Sequence, residues 1–129
     1  MAADNNKDIV RRFMEEVLAD GKLDQIDELV APGYVNRAFG AGLEEFKQML
    51  AGLSAALPDR RFDIEDLVAE GDTVVARYTA EMRDGSGKTT SLRGLTFYRL
   101  AGGKIVEDDP ITTPDLAQEL GPLLGSPPT

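Results

Sequence analysis

The order of elements predicts an α+β fold in which three helices precede about four antiparallel strands. Three observations carry this reading. Apolar residues recur at helical spacing up to Pro58, they alternate with polar ones after it, and the helical runs and the strand runs come in two blocks instead of alternating as βαβ units. The first helix is marked by Ile9, Phe13 and Val17 at four-residue spacing beside Val10, Met14 and Leu18. Asn5 or Asn6 is placed to cap it, and Asp20-Gly21 to end it. A shorter amphipathic piece presents Leu23, Ile26, Leu29 and Val30 on one face and is expected to stop at Pro32-Gly33. Tyr34 to Arg37 reads as a short extended stretch. The third helix runs from Leu43 to Leu57, with Leu43, Phe46, Met49, Leu50 and Leu53 as its apolar stripe and Pro58-Asp59 closing it.

Phe62, Ile64 and Leu67-Val68 then give a strand leading to the turn Glu70-Gly71-Asp72. In the next segment Val74, Ala76, Tyr78, Ala80 and Met82 alternate with polar neighbours, a long strand with one apolar face. A hairpin loop at Asp84-Gly85-Ser86-Gly87, a strand from Thr89 to Leu100, a second turn at Ala101 to Lys104 and a strand from Ile105 to about Asp109 complete the sheet. Thr113-Pro114-Asp115 predicts a cap with proline at the first position of a short helix through Leu116 and Leu120. No repeat or linker interrupts the 129 residues, which are read as one domain with an ordered core over about 6–121 and a flexible tail over 122–129.

Composition narrows the chemistry. The chain has no Cys, His or Trp, which removes disulfides, structural zinc sites, Cys or Ser-His nucleophiles and His-ligated metals. No metal and no cofactor is expected, and proton transfer falls to Asp, Glu, Lys or Tyr. With 23 acidic against 14 basic residues the formal charge is −9, a sign that repels phosphate and anionic lipid, so neither nucleic acid nor a membrane is expected as a partner. The polar N-terminus lacks the basic and apolar regions of a signal peptide, and a cytoplasmic domain is the plain expectation.

Three stretches carry a resemblance. They are Asp8 to Phe13 followed by Ala19-Asp20-Gly21-Lys22-Leu23-Asp24 through Leu29, the strand segment Glu70 to Tyr78, and Arg93 to Leu100 with Gly103 to Glu107. In order and spacing they resemble the SnoaL-like polyketide cyclase group of the nuclear transport factor 2-like superfamily, over roughly residues 7–121. The resemblance implies a cone, a curved sheet wrapped around the helices with an apolar pocket between them, and often a homodimer packed through the sheet. It leaves the reaction open, because the scaffold carries cyclases, isomerases, epoxide hydrolases, dehydratases and non-catalytic binders.

The candidate residues follow. Glu107-Asp108-Asp109 ends the last strand, where relatives often carry a catalytic acid and a tryptophan, and Asp109 stands at the tryptophan position. Strand alternation puts Ile105, Glu107 and Asp109 on one face and Val106 and Asp108 on the other. If the first face lines the pocket, Asp109 is the desolvated general acid–base, tuned by Asp108 or Glu107; otherwise the three are a solvated strand end. Arg77 either finds an anion inside or faces solvent opposite the apolar face. With Asp108 or Asp109 it supplies part of the Asp–Arg–Asp arrangement of epoxide hydrolases, although Thr79 stands where the other carboxylate is required. Asn36 takes the place where relatives carry a basic Asp or His and can orient a carbonyl, or serve as a turn asparagine. Tyr34, Tyr98 and Thr96 are pocket hydrogen-bonders or packing groups, and Phe13, Phe46 and Met49 line the cavity or the core. Gly85-Ser86-Gly87-Lys88 lacks the strand-to-helix setting of a phosphate loop, and the pairs Arg11-Arg12 and Arg60-Arg61 read as surface. The expectation is therefore a small-molecule cyclase or isomerase acting on an apolar, polyketide-like carbonyl ligand. An epoxide-opening enzyme and a non-catalytic binding or dimerisation module are the alternatives.

Overall fold

The computed structural model describes residues 2–120 and is α+β, with a curved six-stranded sheet and helices on its inner face. Helix α1 (Ala2–Arg12) continues into a π-helical turn, Phe13–Ala19, in which the Asp20 N–H donates to Glu15 O, five residues back. Gly21, at φ 70°, then reverses the chain as expected of a glycine after a helix. A 3-10 turn, Leu23–Gln25, leads into α2 (Ile26–Leu29). Strand β1 (Val30–Asn36), the two-residue β2 (Ala41–Gly42) and helix α3 (Leu43–Ala56) follow. The long strands β3 (Asp59–Glu70), β4 (Thr73–Arg83), β5 (Thr89–Ala101) and β6 (Lys104–Thr113) precede the short α4 (Leu116–Leu120). The sheet order is β2-β1-β6-β5-β4-β3, antiparallel throughout except for β1 against β6.

Several expectations change in detail. The first helix begins at Ala2, so Asn6 lies inside it, buried, instead of capping it. Pro32-Gly33 does not stop a helix; the chain is extended from Val30, and the proline occupies the stretch between Val30 and Val35 where the β1–β6 register is broken and no ladder N–H is needed. The extended stretch at Tyr34 thus belongs to a full strand, and the sheet has six strands where about four were expected. Strand β6 continues past Asp109 through Pro110, because β1 pairs with β6 only as far as Asp108 and the proline's missing donor faces an open edge. At α4 the cap is Asp115, whose Oδ2 accepts the Gln118 N–H at 3.1 Å, so Pro114 precedes the cap. The flexible tail expected over 122–129 lies outside the described residues.

The apolar face of β4 is as expected: Val74, Ala76, Tyr78, Ala80 and Met82 are all buried, against Val10, Phe13, Met14 and Val17 from the first helix and its π turn and Leu50 from α3. Burying each large apolar side chain of this kind contributes about 1.5–3 kcal/mol. The Asp84 loop is a hairpin turn, its Oδ1 accepting from Ser86 N–H, Ser86 O–H and Lys88 N–H. Among the described residues no helix is long and apolar enough to cross a membrane.

Arg60 departs from the surface reading. It is 8 % exposed, while Arg11, Arg12 and Arg61 are exposed as expected. Its guanidinium donates to Leu18 O at 2.8 Å, to Leu57 O at 2.9 Å and to Ser54 Oγ at 3.1 Å. The first two acceptors are carbonyls left free where the first helix and α3 end, so one side chain ties both helix ends to the start of β3. Arg60→Ala should cost about 1–3 kcal/mol in urea unfolding, since it leaves these carbonyls without their donor; a loss below about 0.5 kcal/mol would contradict this role.

Candidate functional site

The site is built where β1, β6 and β5 run side by side. In β6 the register against β5 slips by one residue: Leu100 pairs with Ile105, but Arg99 pairs with Glu107. Val106 is the extra residue of a β-bulge. Ile105 and Asp108, three residues apart, therefore both point inward, and Glu107 and Asp109 point outward. The strict alternation that placed Asp109 on the pocket face fails at this bulge. Asp109 is exposed and pairs with the exposed Phe97, whereas Asp108 is 4 % exposed and pairs with buried Tyr98.

Asn36 pairs with Asp108 from the other side, so Asn36, Asp108 and Tyr98 lie in one row across three strands. Tyr34, two residues before Asn36 and on the same face, donates its hydroxyl to Asp108 Oδ2 at 2.6 Å. The Asn36 side-chain N–H donates in turn to the Tyr34 oxygen at 3.3 Å, and Asn36 Oδ1 accepts the Phe39 N–H at 3.2 Å. Asp108 Oδ1 is buried and has no hydrogen-bond partner among the described residues.

A cavity of about 80 Å³ adjoins this row. Its polar lining consists of Asn36, Asp108, Thr96, Tyr78 and Tyr98. The rest is apolar, with Phe46, Met49, Leu50 and Leu53 from α3, Phe62 and Met82 from β3 and β4, and Leu120 from α4. Tyr78 and Thr96 share a hydrogen bond of 2.9 Å on the wall. Burial drives the Asp108 carboxyl up from its ordinary value to about 7; the Tyr34 bond opposes this shift, and the charges of Asp109 and Glu107 add to it. Burial and the neighbouring Asp108 likewise raise the Tyr34 and Tyr98 phenols, which stay protonated donors.

The remaining candidates are sorted by this geometry. Phe46, Met49, Thr96, Tyr98 and Asn36 line the cavity. Phe13 does not line it; it sits behind, its ring 5.9 Å from both Phe46 and Tyr98. Glu107 is bound to Arg37 at 2.7 Å and Arg99 at 3.3 Å on the outer surface, and the Arg37 bond holds its carboxyl below the ordinary range. Arg77 is exposed and paired with Asp66 and Glu65, because β4 alternation turns it away from the core. Arg77 and Asp109 thus both lie on the outer face, and the arrangement an epoxide-opening site requires is not assembled at the cavity. Leu120 and Tyr78 escaped the sequence reading. Tyr78 was legible, since it shares the alternation of Ala76 and Ala80; nothing local marks Leu120 as a wall of the cavity.

The family model for the SnoaL-like domain matches residues 10–108, most of the chain. The chain belongs to the SnoaL-like family. Its fold is that of the nuclear transport factor 2-like superfamily, as its structural relatives show. A protein of Acidithiobacillus ferrooxidans provisionally assigned as a polyketide cyclase is 27% identical, covering 92% of this chain and 96% of its own, with a TM-score of 0.75. A SnoaL-like polyketide cyclase of Agrobacterium tumefaciens is 21% identical, covers 90% and 98%, and has a TM-score of 0.73. A protein of Streptomyces galilaeus provisionally assigned as a hydroxylase is 20% identical, covers 97% and 86%, and has a TM-score of 0.74. The last two share the fold, and their differing descriptions leave the reaction to be argued from the site. No curated protein matches the chain.

The raised Asp108 carboxyl has a consequence for stability. The folded protein keeps a proton that the unfolded chain loses from about pH 4, so this group's contribution to stability declines as pH rises to about 7. The full effect is on the order of a few kcal/mol. Urea unfolding between pH 5 and pH 8 should therefore show a decline that Asp108→Asn removes; parallel pH dependence in the two proteins would contradict the buried-acid assignment.

Proposed function

We propose that this protein is a cofactor-independent acid–base enzyme of the SnoaL-like type, a cyclase or isomerase acting on a small polyketide-like carbonyl compound, with Asp108 as the group that moves the proton. The observation that supports it is one carboxyl oxygen, Asp108 Oδ1, buried beside an apolar cavity without a partner among the described residues and on an acid shifted to about 7. A proton-transfer group works best when its pKa lies near the working pH.

In this reading the ionised Asp108 takes a proton from the carbon next to a ligand carbonyl. The carbonyl oxygen, which gains charge, is held by donors on the wall, Tyr98 and the second N–H of Asn36. For isomerisation the proton returns to a different carbon. For cyclisation the enolate carbon forms a C–C bond to a second carbonyl of the same molecule, and Asp108 delivers its proton to the new alkoxide. Tyr34 holds the other carboxyl oxygen throughout.

The test is exchange of α-protons with deuterated solvent, followed by NMR over a panel of aryl β-diketones. Asp108→Asn should lower the rate by about 10²–10⁴-fold, and Asp109→Asn should stay within about twofold. Full exchange in folded Asp108→Asn overturns the assignment.

We further propose cytoplasmic residence, on the missing cysteine, and a homodimer packed through the outer face of the sheet. Leu95, Phe97 and Ile111 are exposed there; Leu95 pairs directly with Ile111, and Phe97 lies two residues along the same strand face. Phe97→Glu should convert a dimer to a monomer in sedimentation velocity at micromolar concentration. A monomeric wild-type protein contradicts this part of the reading.

A further inference from the structure

Three hydrogen bonds in series join a backbone amide to the buried acid, and their donors are assigned from one end. The Phe39 N–H, at the turn after β1, donates to Asn36 Oδ1 at 3.2 Å. A backbone N–H only donates, so the amide oxygen of Asn36 faces it and Nδ2 faces Tyr34. Nδ2 also only donates, so the Tyr34 oxygen, 3.3 Å away, is its acceptor. A phenol has one proton, and here it points to the other hydrogen-bond neighbour among the described residues, Asp108 Oδ2 at 2.6 Å. The backbone holds these members in register, since the Arg37 N–H donates to Asp108 O at 2.9 Å where β1 ends against β6.

When Asp108 is protonated, the acid and Tyr34 together carry two O–H protons but share one hydrogen bond, so one proton is left over. Two arrangements compete. Either Tyr34 donates to Oδ2 and the leftover proton sits on Oδ1, or Oδ2 donates to Tyr34 and the phenol proton is left over. The second turns the Tyr34 O–H against the Asn36 N–H, donor against donor, which is costly in a buried site. The first places the leftover proton on Oδ1, the oxygen without a partner among the described residues. Asp108 and Asn36 line the cavity and Tyr34 does not. The second arrangement would therefore hold the acid proton between Asp108 and a group that is not part of the wall.

We propose that Asn36 is a positioning residue that acts through Tyr34: by taking the acceptor side of the phenol oxygen it keeps Oδ2 unprotonated, so that Oδ1 alone takes and returns the proton. This rests on Asp108 being the proton-transfer group, as above. In that reaction the ligand C–H bond breaks, its electron pair stays on the ligand as an enolate, and the proton forms its new bond to Oδ1. It returns from the same oxygen, and Oδ2 stays bonded to Tyr34 in both states. The second N–H of Asn36, assigned above to a ligand oxygen, is a different hydrogen of the same amide.

The other groups around Asp108 leave this balance to Tyr34. Tyr98 on β5 and Tyr78 on β4 are the remaining titratable side chains facing it, and burial raises both phenols, so both stay neutral. Glu107 and Asp109 face outward, with Arg37 and Arg99 bound to Glu107. The π-helical turn, α3, β3 and α4 bring only apolar residues to the cavity wall.

Neutron diffraction from crystals of the full deuterated chain locates the protons directly, at pH 5 and pH 9, on either side of the Asp108 midpoint of about 7. At both, the Tyr34 deuteron should point to Oδ2; at pH 5 the acid deuteron should lie on Oδ1. Titration of the Asp108 carboxyl without ligand supplies the readout for Asn36. Tyr34→Phe should raise the midpoint by about one pH unit or more, because a bond that favours the ionised form is lost. In an Asn36→Leu background the same change should raise it by about half as much or less, because the phenol there also accepts from a protonated Oδ2. A purely structural role of Asn36 would leave the two rises equal.

An acid deuteron on Oδ2 at pH 5, a Tyr34 deuteron turned toward Asn36, or equal rises in the two backgrounds each overturns the proposal. If Asn36→Leu fails to fold, the neutron maps decide alone. Failure of the catalytic reading looks different: the deuterons and midpoints stand while α-proton exchange is absent or indifferent to Asp108.

Discussion

The hydrogen bond from Tyr34 to Asp108 is the contact on which the site depends, and it exists only because a bulge at Val106 turns Asp108 inward. A carboxyl at 4 % exposure is costly to keep charged. The protein limits that cost with one short hydrogen bond to Oδ2 and, among the described residues, leaves Oδ1 without one, which gives the two oxygens of one side chain different environments. Tyr34 is itself oriented by Asn36, and Asn36 by the Phe39 N–H at the turn after β1. The chain of contacts therefore runs from a backbone amide through two side chains to the acid, and each link narrows the freedom of the next.

The surrounding fold serves this arrangement. The parallel pairing of β1 with β6 sets Asn36 beside Asp108, and the antiparallel pairing of β5 with β6 sets Tyr98 on its other side. Helix α3 supplies an apolar wall that keeps water from the carboxyl, and Phe13, behind Phe46 and Tyr98, packs the rings that form that wall. Outside, Glu107 is neutralised by Arg37 and Arg99, so two adjacent residues of the same acidic run occupy opposite regimes: a surface ion pair on one, a desolvated acid on the other.

Much of this was legible in the residues. The α+β order, the bounds of α3 and the buried face of β4 follow from apolar periodicity, and the acidic run singled out from Glu107 contains the one residue, Asp108, that the structure buries beside the cavity. The orientation of that run was not legible. Ile105 and Val106 are consecutive apolar residues, which a strand can bury singly or accommodate as a bulge, and only the pairing with β5 decides between them. One residue of slip exchanges Asp109 for Asp108. Arg60 was misplaced for a related reason: its acceptors, Leu18 O and Leu57 O, are backbone carbonyls at helix ends brought together by the fold, and no side-chain pattern announces them. Pro32 was read as a helix stop and the last strand was expected to end at about Asp109, just before Pro110, yet each proline sits in a strand at a point where its missing N–H has no ladder partner to lose.

The central claim is that Asp108 is a desolvated acid poised near neutrality, and direct titration of its carboxyl tests it most simply. In protein labelled with ¹³C at aspartate carboxyl carbons, the resonance removed by Asp108→Asn identifies the group, and its shift is followed from pH 4 to pH 9. A midpoint near 7 is expected, about three pH units above the ordinary value of an aspartate. A midpoint near 4 would contradict it.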